Sequence, residues 1–336
     1  MDMTSDPGSE RAAPALATTQ PMSYAEAAVL AVRREMESDA RVVVLGEDVG
    51  RGGIFGQYKG LQQTFGAERV IDAPISEAAI MGAGVGMALA GLRPVVEMRV
   101  VDFALCGMDE LVNQAAKNRF MFGGQGRVPL VARMPGGIWD ASAAQHSQSL
   151  EAWFAHLPGV VVACPSTPQD NYGMLRSAMR CGDPVVYIEH KTLWGVRGEA
   201  DEGVEVPLGK AAHRRSGNAL TLVSWGKQVH VCLAACDALA TEGIEVDLID
   251  LRTLWPWDRE AVLTSCGRTR RLLVVHEAVQ VAGFGAEIAA TAAEATGCRV
   301  ARLGAPRIPV GYAPVLEAQS RVSLEQVVKA ARALAG

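Results

Sequence analysis

Positions 74–80 read Pro-Ile-Ser-Glu-Ala-Ala-Ile, which sets Glu77 among small and branched apolar residues directly after a serine. Such a carboxylate has two uses. Ser76 has the side chain of a helix N-cap, and a glutamate in the first turn is stabilised by the helix dipole. A carboxylate in apolar company also titrates above its ordinary range, so it can exchange a proton with a ligand near neutral pH. Sequence position alone leaves both open.

His146 lies in DASAAQHSQS, a small and polar stretch without helical or strand period that follows Gly136-Gly137. An imidazole on such a loop is placed for acid–base work. Asp102 and Phe103 follow the strand-like RPVVEMRV, where an aromatic either joins the core or stacks on a flat ligand ring. His276 closes the strand-like RRLLVVHEA and is expected at the C-terminal mouth of a parallel sheet, where α/β sites form. Gly82, Gly84, Gly86 and Gly91 resemble a dinucleotide loop only superficially. They fall inside the helix after Ser76 rather than between strand and helix, so close backbone packing is their better use.

The elements that must position these residues alternate regularly. Helix-like SYAEAAVLAVRREMESD precedes strand-like RVVVLGED, and the alternation continues through 69–74, 76–91, 93–100, 108–122, 128–134, 160–164, 168–180 and 184–190. Continuous apolar strands between helices predict a parallel sheet covered on both faces. Residues 191–217 break the pattern with Gly, Pro and mixed charge and are expected to be a linker. A second alternation follows, so the fold class is α/β with two doubly wound modules, at 22–190 and 218–336. Residues 1–21 are rich in Ser, Thr, Pro and Ala and are expected to be a disordered lead.

Composition narrows the function. The 336 residues are 49% hydrophobic and 21% charged, with no apolar run long enough for a membrane span. Net charge is −5 without a basic stripe, which argues against nucleic acid. Seven cysteines lack metal-ligand spacing and are odd in number, which favours buried thiols in a reducing cytoplasm over disulfides or zinc.

Taken together, LGEDVG, DAPISEAAI, GLRPVVEMRVVDF, NQAAKNRFMFGG, AAQHSQSLEAWFAHLPGVVVACPS, TLVSWGKQVHV, VDLIDLRTLWPWD and VVHEA resemble one family. It is the beta subunit of the thiamine-diphosphate-dependent decarboxylase of 2-oxo acid dehydrogenase complexes, and the resemblance spans about residues 22–332. It implies a transketolase-like pyrimidine-binding domain followed by a transketolase C-terminal domain. Glu77 matches the glutamate that hydrogen-bonds N1′ of the cofactor's aminopyrimidine and so favours the imino tautomer that generates the carbon nucleophile. Phe103 matches the aromatic beside the pyrimidine, Ile75 an apolar residue of the same pocket, and Glu47 of LGEDVG is placed on the cofactor side. His146 matches the loop histidine facing the substrate or lipoyl group.

The same resemblance maps a potassium ion, held through backbone carbonyls, to Leu130, Ala178, Cys181 and Asp183. The family's GDG-type loop for diphosphate and Mg²⁺ does not occur in this sequence. An alpha subunit is therefore expected to supply that half within an α2β2 heterotetramer, and a lipoyl acyltransferase or other carrier protein to receive the product. The substrate is expected to be a branched-chain or pyruvate-like 2-oxo acid, with an acetoin dehydrogenase or a two-carbon transferase to a carrier protein as alternatives. Arg99, where a relative has a hydrophobic residue, and Trp139-Asp140, where Gly and Ala are common, depart from the family pattern.

Overall fold

The computed structural model describes residues 19–336. In chain order the first half contains β1 (Thr19–Ser23), α1 (Tyr24–Ser38), β2 (Val42–Gly46), α2 (Leu61–Phe65), β3 (Val70–Asp72), α3 (Glu77–Leu89) and β4 (Arg93–Glu97). It continues with α4 (Ala116–Met121), β5 (Val131–Gly136), α5 (Glu151–Ala155), β6 (Val161–Ala163), α6 (Pro168–Arg180) and β7 (Val185–His190). The second half contains β8 (Arg197–Asp201), β9 (Ala212–Arg215), β10 (Leu220–Ser224), α7 (Gln228–Ala240), β11 (Val246–Asp250), β12 (Thr253–Trp255) and α8 (Arg259–Thr269). It ends with β13 (Arg271–Val279), α9 (Gly285–Thr296), β14 (Arg299–Ala305), α10 (Pro314–Glu317) and α11 (Leu324–Ala335).

Helix α1 shows how the local sequence sets an element. Ser23 Oγ accepts from Glu26 N while Ser23 N donates to the Glu26 carboxylate at 2.7 Å, a closed capping box. Ala27, Ala28, Ala31, Val32 and Met36 then recur at three- and four-residue steps on the buried face. The apolar runs of β2 and β4 are buried on both faces, as a covered parallel sheet requires. Gly46 is needed there because a Cβ would come within 2.7 Å of the Glu97 Cβ on the neighbouring strand. Gly84 does the same for α3, since a Cβ would strike Val96 and Leu130 of the sheet beneath.

Two sheets result. The first has the order β12-β6-β7-β5-β4-β2-β3, parallel throughout except for β12 against β6. The second runs β14-β13-β10-β11-β9, with β9 antiparallel at its edge. One core crosses between them, since Val96, Leu130 and Val186 belong to the same buried cluster as Ile249, Leu254 and Val274. The modules therefore share packing rather than merely touching.

Three boundaries differ from the sequence expectation. Thr19–Pro21 lie in β1, paired antiparallel with β8, so the last residues of the expected lead are ordered by a distant strand; residues 1–18 lie outside the described residues. The expected linker supplies β8 to that ribbon and β9 to the second sheet, because strand partners from elsewhere satisfy its backbone. Strand β12 belongs in sequence to the second module yet extends the first sheet. Among the described residues, no helix is long and apolar enough to cross a membrane.

Candidate active site

The C-terminal ends of the parallel strands open on one edge of the first sheet. Glu47 follows β2, Ile75 and Glu77 follow β3, Arg99 and Phe103 follow β4, His146 follows β5, and Lys191 follows β7. This is the edge at which doubly wound sheets bind ligands.

The carboxylate flank is open. Glu77 is the first residue of α3 and half-buried, and Ile75 beside it is 78% exposed. Ser76 does not act as the expected cap. Its backbone stands at φ −168° and ψ 82°, and no side-chain cap bond forms. A 3₁₀ turn over Phe103–Gly107 packs on the start of α3, with Gly107 so close that a Cβ would sit 3.1 Å from the Glu77 carbonyl oxygen. Burial and the neighbouring charge of Glu77 raise the Glu47 carboxyl above its ordinary range, against the lowering pull of Arg99. Arg99 donates to Asp48 at 2.9 Å and lies 4.0 Å from Glu47. The departure at Arg99 thus adds a counter-charge to two acids at the mouth of β2.

Beneath this flank, Glu97 accepts from Tyr58 Oη at 2.6 Å and Gln57 Nε2 at 3.2 Å, and burial pushes its carboxyl up to about 7. Arg133, fully buried, forks onto Glu189 and stacks over the Tyr58 ring.

The histidine flank is strapped. Phe103 and His146 meet edge to face, with ring centroids 5.1 Å apart. Gln148 donates to Asp102 Oδ1 through both its backbone N, at 3.3 Å, and its side chain, at 2.9 Å. Glu277, from the end of β13, accepts from Ile138 N at 2.7 Å, Ser149 Oγ at 3.2 Å and His190 Nε2 at 2.9 Å. Burial works against that charge, but His190 and the Ile138 amide hold the Glu277 carboxyl below its usual range. Lys191 Nζ donates to the His146 carbonyl. Trp139 meets Phe55 edge to face, and Asp140 accepts from Arg321 at 3.0 Å, so these two departures tie the loop to its surroundings.

His276 is not in the open site. It is fully buried, stacked on Trp225 with centroids 5.2 Å apart, and donates from Nδ1 to the Ala278 carbonyl. Burial brings its pKa down to about 4. Gly283, Gly285 and Gly304 wall it in, because a Cβ at any of them would approach its ring within 3 Å. Alternation along β13 turns His276 inward and the next residue, Glu277, toward the loop. Glu277, His190 and Lys191 were not singled out from the sequence, although His190 ends β7, Lys191 directly follows it and Glu277 lies near the end of β13.

The expected potassium residues gather at the opposite edge of the sheet, where α6 ends and β5 and β7 begin. The Leu130 carbonyl accepts from Val185 N at 2.8 Å, Ala178 from Cys181 N at 3.1 Å, and Cys181 from Arg93 Nη1 at 3.2 Å. The Asp183 carboxylate holds Arg119 at 2.5 and 2.6 Å. Carbonyls at a helix C-terminus suit a cation, and each keeps a second lone pair.

Comparison with known proteins agrees with this geometry. The family described as "Transketolase, pyrimidine binding domain" matches residues 20–196, and "Transketolase, C-terminal domain" matches residues 209–327. The chain is 41% identical to the 2-oxoisovalerate dehydrogenase subunit beta of Bacillus subtilis, over 94% of this chain and 98% of that one. It is also 41% identical to the acetoin:2,6-dichlorophenolindophenol oxidoreductase subunit beta of Cupriavidus necator, over 90% and 94%. Identity to the pyruvate dehydrogenase E1 component subunit beta-1 of Arabidopsis thaliana is 39%, over 93% and 88%. The solved structure "Split gene transketolase, inactive beta4 tetramer" superposes with a TM-score of 0.79 at 19% identity, over 94% of this chain and 98% of that one, and supports the fold. The chain belongs to the family of thiamine-dependent 2-oxo acid dehydrogenase beta subunits.

Proposed function

We propose that this chain, with an alpha subunit in an α2β2 heterotetramer, decarboxylates a branched-chain or pyruvate-like 2-oxo acid and transfers the acyl group to a lipoyl disulfide. The overall step is balanced: carbon dioxide leaves, one lipoyl sulfur takes the acyl group, and the other takes the proton of the acid. The observation that carries this reading is that Glu47, Glu77, Phe103 and His146 all follow parallel strands of the first sheet on its C-terminal edge, with Phe103 and His146 in ring contact. Thiamine diphosphate, when bound, supplies the carbon nucleophile and the electron sink.

The residues present fit that group. Glu77 would hold a proton at N1′ of the aminopyrimidine, and Glu47, its carboxyl raised by burial and by the nearby Glu77 charge, lies on the same side. Phe103 and Ile75 would flank the ring, and His146 would face the substrate or the lipoyl group. The openness of the edge supports completion by a partner, which would carry the diphosphate and Mg²⁺. Along α3, Ala79, Ala83, Gly86 and Ala90 form an exposed strip of small residues, with nothing within 4 Å of a Cβ built at Gly86, which suits close approach by another subunit. The carbonyls of Leu130, Ala178 and Cys181, with Asp183, would hold potassium away from the chemistry. Seven free cysteines fit a reducing compartment, the cytoplasm in this reading.

Identity to the acetoin relative equals that to the 2-oxoisovalerate relative, which supports acetoin as a second substrate reading. Co-purification with an alpha subunit, followed by assays across 2-oxo acids and acetoin with lipoyl and dye acceptors, tests the proposal. Release of carbon dioxide with lipoyl acylation supports it. Acetoin cleavage without decarboxylation favours the second reading, and transfer to another carrier protein alone would refute the lipoyl step.

A further inference from the structure

The His146 ring has no hydrogen-bond partner among the described residues, so its position is set by its backbone and by Phe103. That backbone does not hold itself. Ala141 and Ala143 on the same loop have φ of 54° and 58°, in the left-handed region that non-glycine residues adopt only when their surroundings impose it. Resting on the assignment of His146 to the reaction, we propose that Lys191 and Glu277 are positioning residues that together fix the reach of the His146 loop.

The two act on different parts of it. Glu277 Oε1 takes Ile138 N at one foot and Ser149 Oγ at the other, so one carboxylate from the second module closes the loop on itself. His190 supports that carboxylate. Its Nδ1 accepts from Thr192 N at 3.2 Å, which leaves the proton on Nε2 to donate to Glu277 at 2.9 Å. Lys191 acts at the tip. Its side chain is buried, with the residue 2% exposed, and the bond it makes is to the His146 carbonyl itself. Burying an ammonium is costly, and an apolar side chain of the same length would serve core packing better. Burial brings the Lys191 pKa down to about 8, a fall that the charges of Asp102 and Glu277 offset only in part, and Asp102 also grips Gln148 and adjoins Phe103. The histidine, its aromatic neighbour and both loop feet are thus referred to one buried network.

The test uses the chain assembled with its alpha subunit. In Lys191→Met and in Glu277→Gln, amide hydrogen exchange over residues 137–149 should rise about tenfold or more while the sheets stay protected. Turnover should fall by roughly ten- to a hundredfold, with KM for the 2-oxo acid moving less than about twofold, as expected for a misplaced group rather than a lost binding contact. Lys191→Arg should recover part of both. Adding Lys191→Met to His146→Ala should cost nothing further. Unchanged exchange in both single variants, or a full further loss in the His146→Ala background, would overturn the proposal. A His146→Ala enzyme with parental activity would instead defeat the role assigned to His146, while faster exchange in Lys191→Met would still uphold the anchoring.

Discussion

The two flanks of the candidate site are built in opposite ways. Glu77 stands half-buried at a helix start with no cap bond behind it and an exposed isoleucine beside it. The His146 loop is held by Glu277, Asp102 and Lys191, all buried, and by Glu317 through Ala141 N at 2.8 Å. An open flank fits a surface that another subunit completes, whereas a strapped flank must hold its geometry from within. Changes on the first should therefore cost chemistry without stability, and changes to the straps of the second should cost loop order and, through it, turnover.

The largest expected effect lies on the open flank. Glu77→Gln, assembled with the alpha subunit, should lose about 10²- to 10⁴-fold in decarboxylation through the missing proton relay. Its denaturation midpoint should stay where the parent's is; a midpoint that drops instead would make Glu77 a structural residue. On the strapped flank, Glu277→Ala leaves Ile138 N, Ser149 Oγ and His190 Nε2 without their acceptor. Urea titration should show a loss of about 3 kcal/mol.

A pH effect of similar size belongs to the acid beneath the open flank. Glu97 titrates near 7 in the folded chain because it is buried, above its ordinary value of 4.5. Between those values the folded state binds the extra proton, so stability is present at low pH and is lost as pH rises toward 7. The loss is on the order of 3 kcal/mol for a shift of this size. Glu97→Gln should flatten that part of the stability profile, and an unchanged slope would assign it to another group. The smallest effects compare two helix starts. Ser23→Ala breaks a closed capping box and should cost about 1 kcal/mol. Ser76→Ala removes no cap bond and should stay within about 0.5 kcal/mol.

What was legible in the sequence divides along the same line. Periodicity placed α6 at 168–180 and the parallel strands of both sheets, because covered parallel strands are written as apolar runs. Glu77, Phe103 and His146 were legible as types of residue at element ends, and the structure brings Phe103 and His146 into ring contact. Long-range partnerships were not. Nothing local marks β8 as the partner of β1, or β12 as an edge of the first sheet, since those pairings are satisfied by strands far along the chain. Ser76 looked like a cap by type, but capping depends on backbone geometry that residue type does not reveal. His276 and Glu277 share one strand end, and only the facing of successive side chains separates a walled-in imidazole from the carboxylate that holds the loop.

In the proposed arrangement this chain builds one half of a thiamine site. Calorimetric titration of thiamine diphosphate with Mg²⁺ into the chain alone, and into the chain assembled with its alpha subunit, tests it most directly. Weak or no binding is expected for the chain alone, and tight binding for the assembly, weakened by Glu77→Gln. Tight Mg²⁺-dependent binding by the chain alone would contradict it.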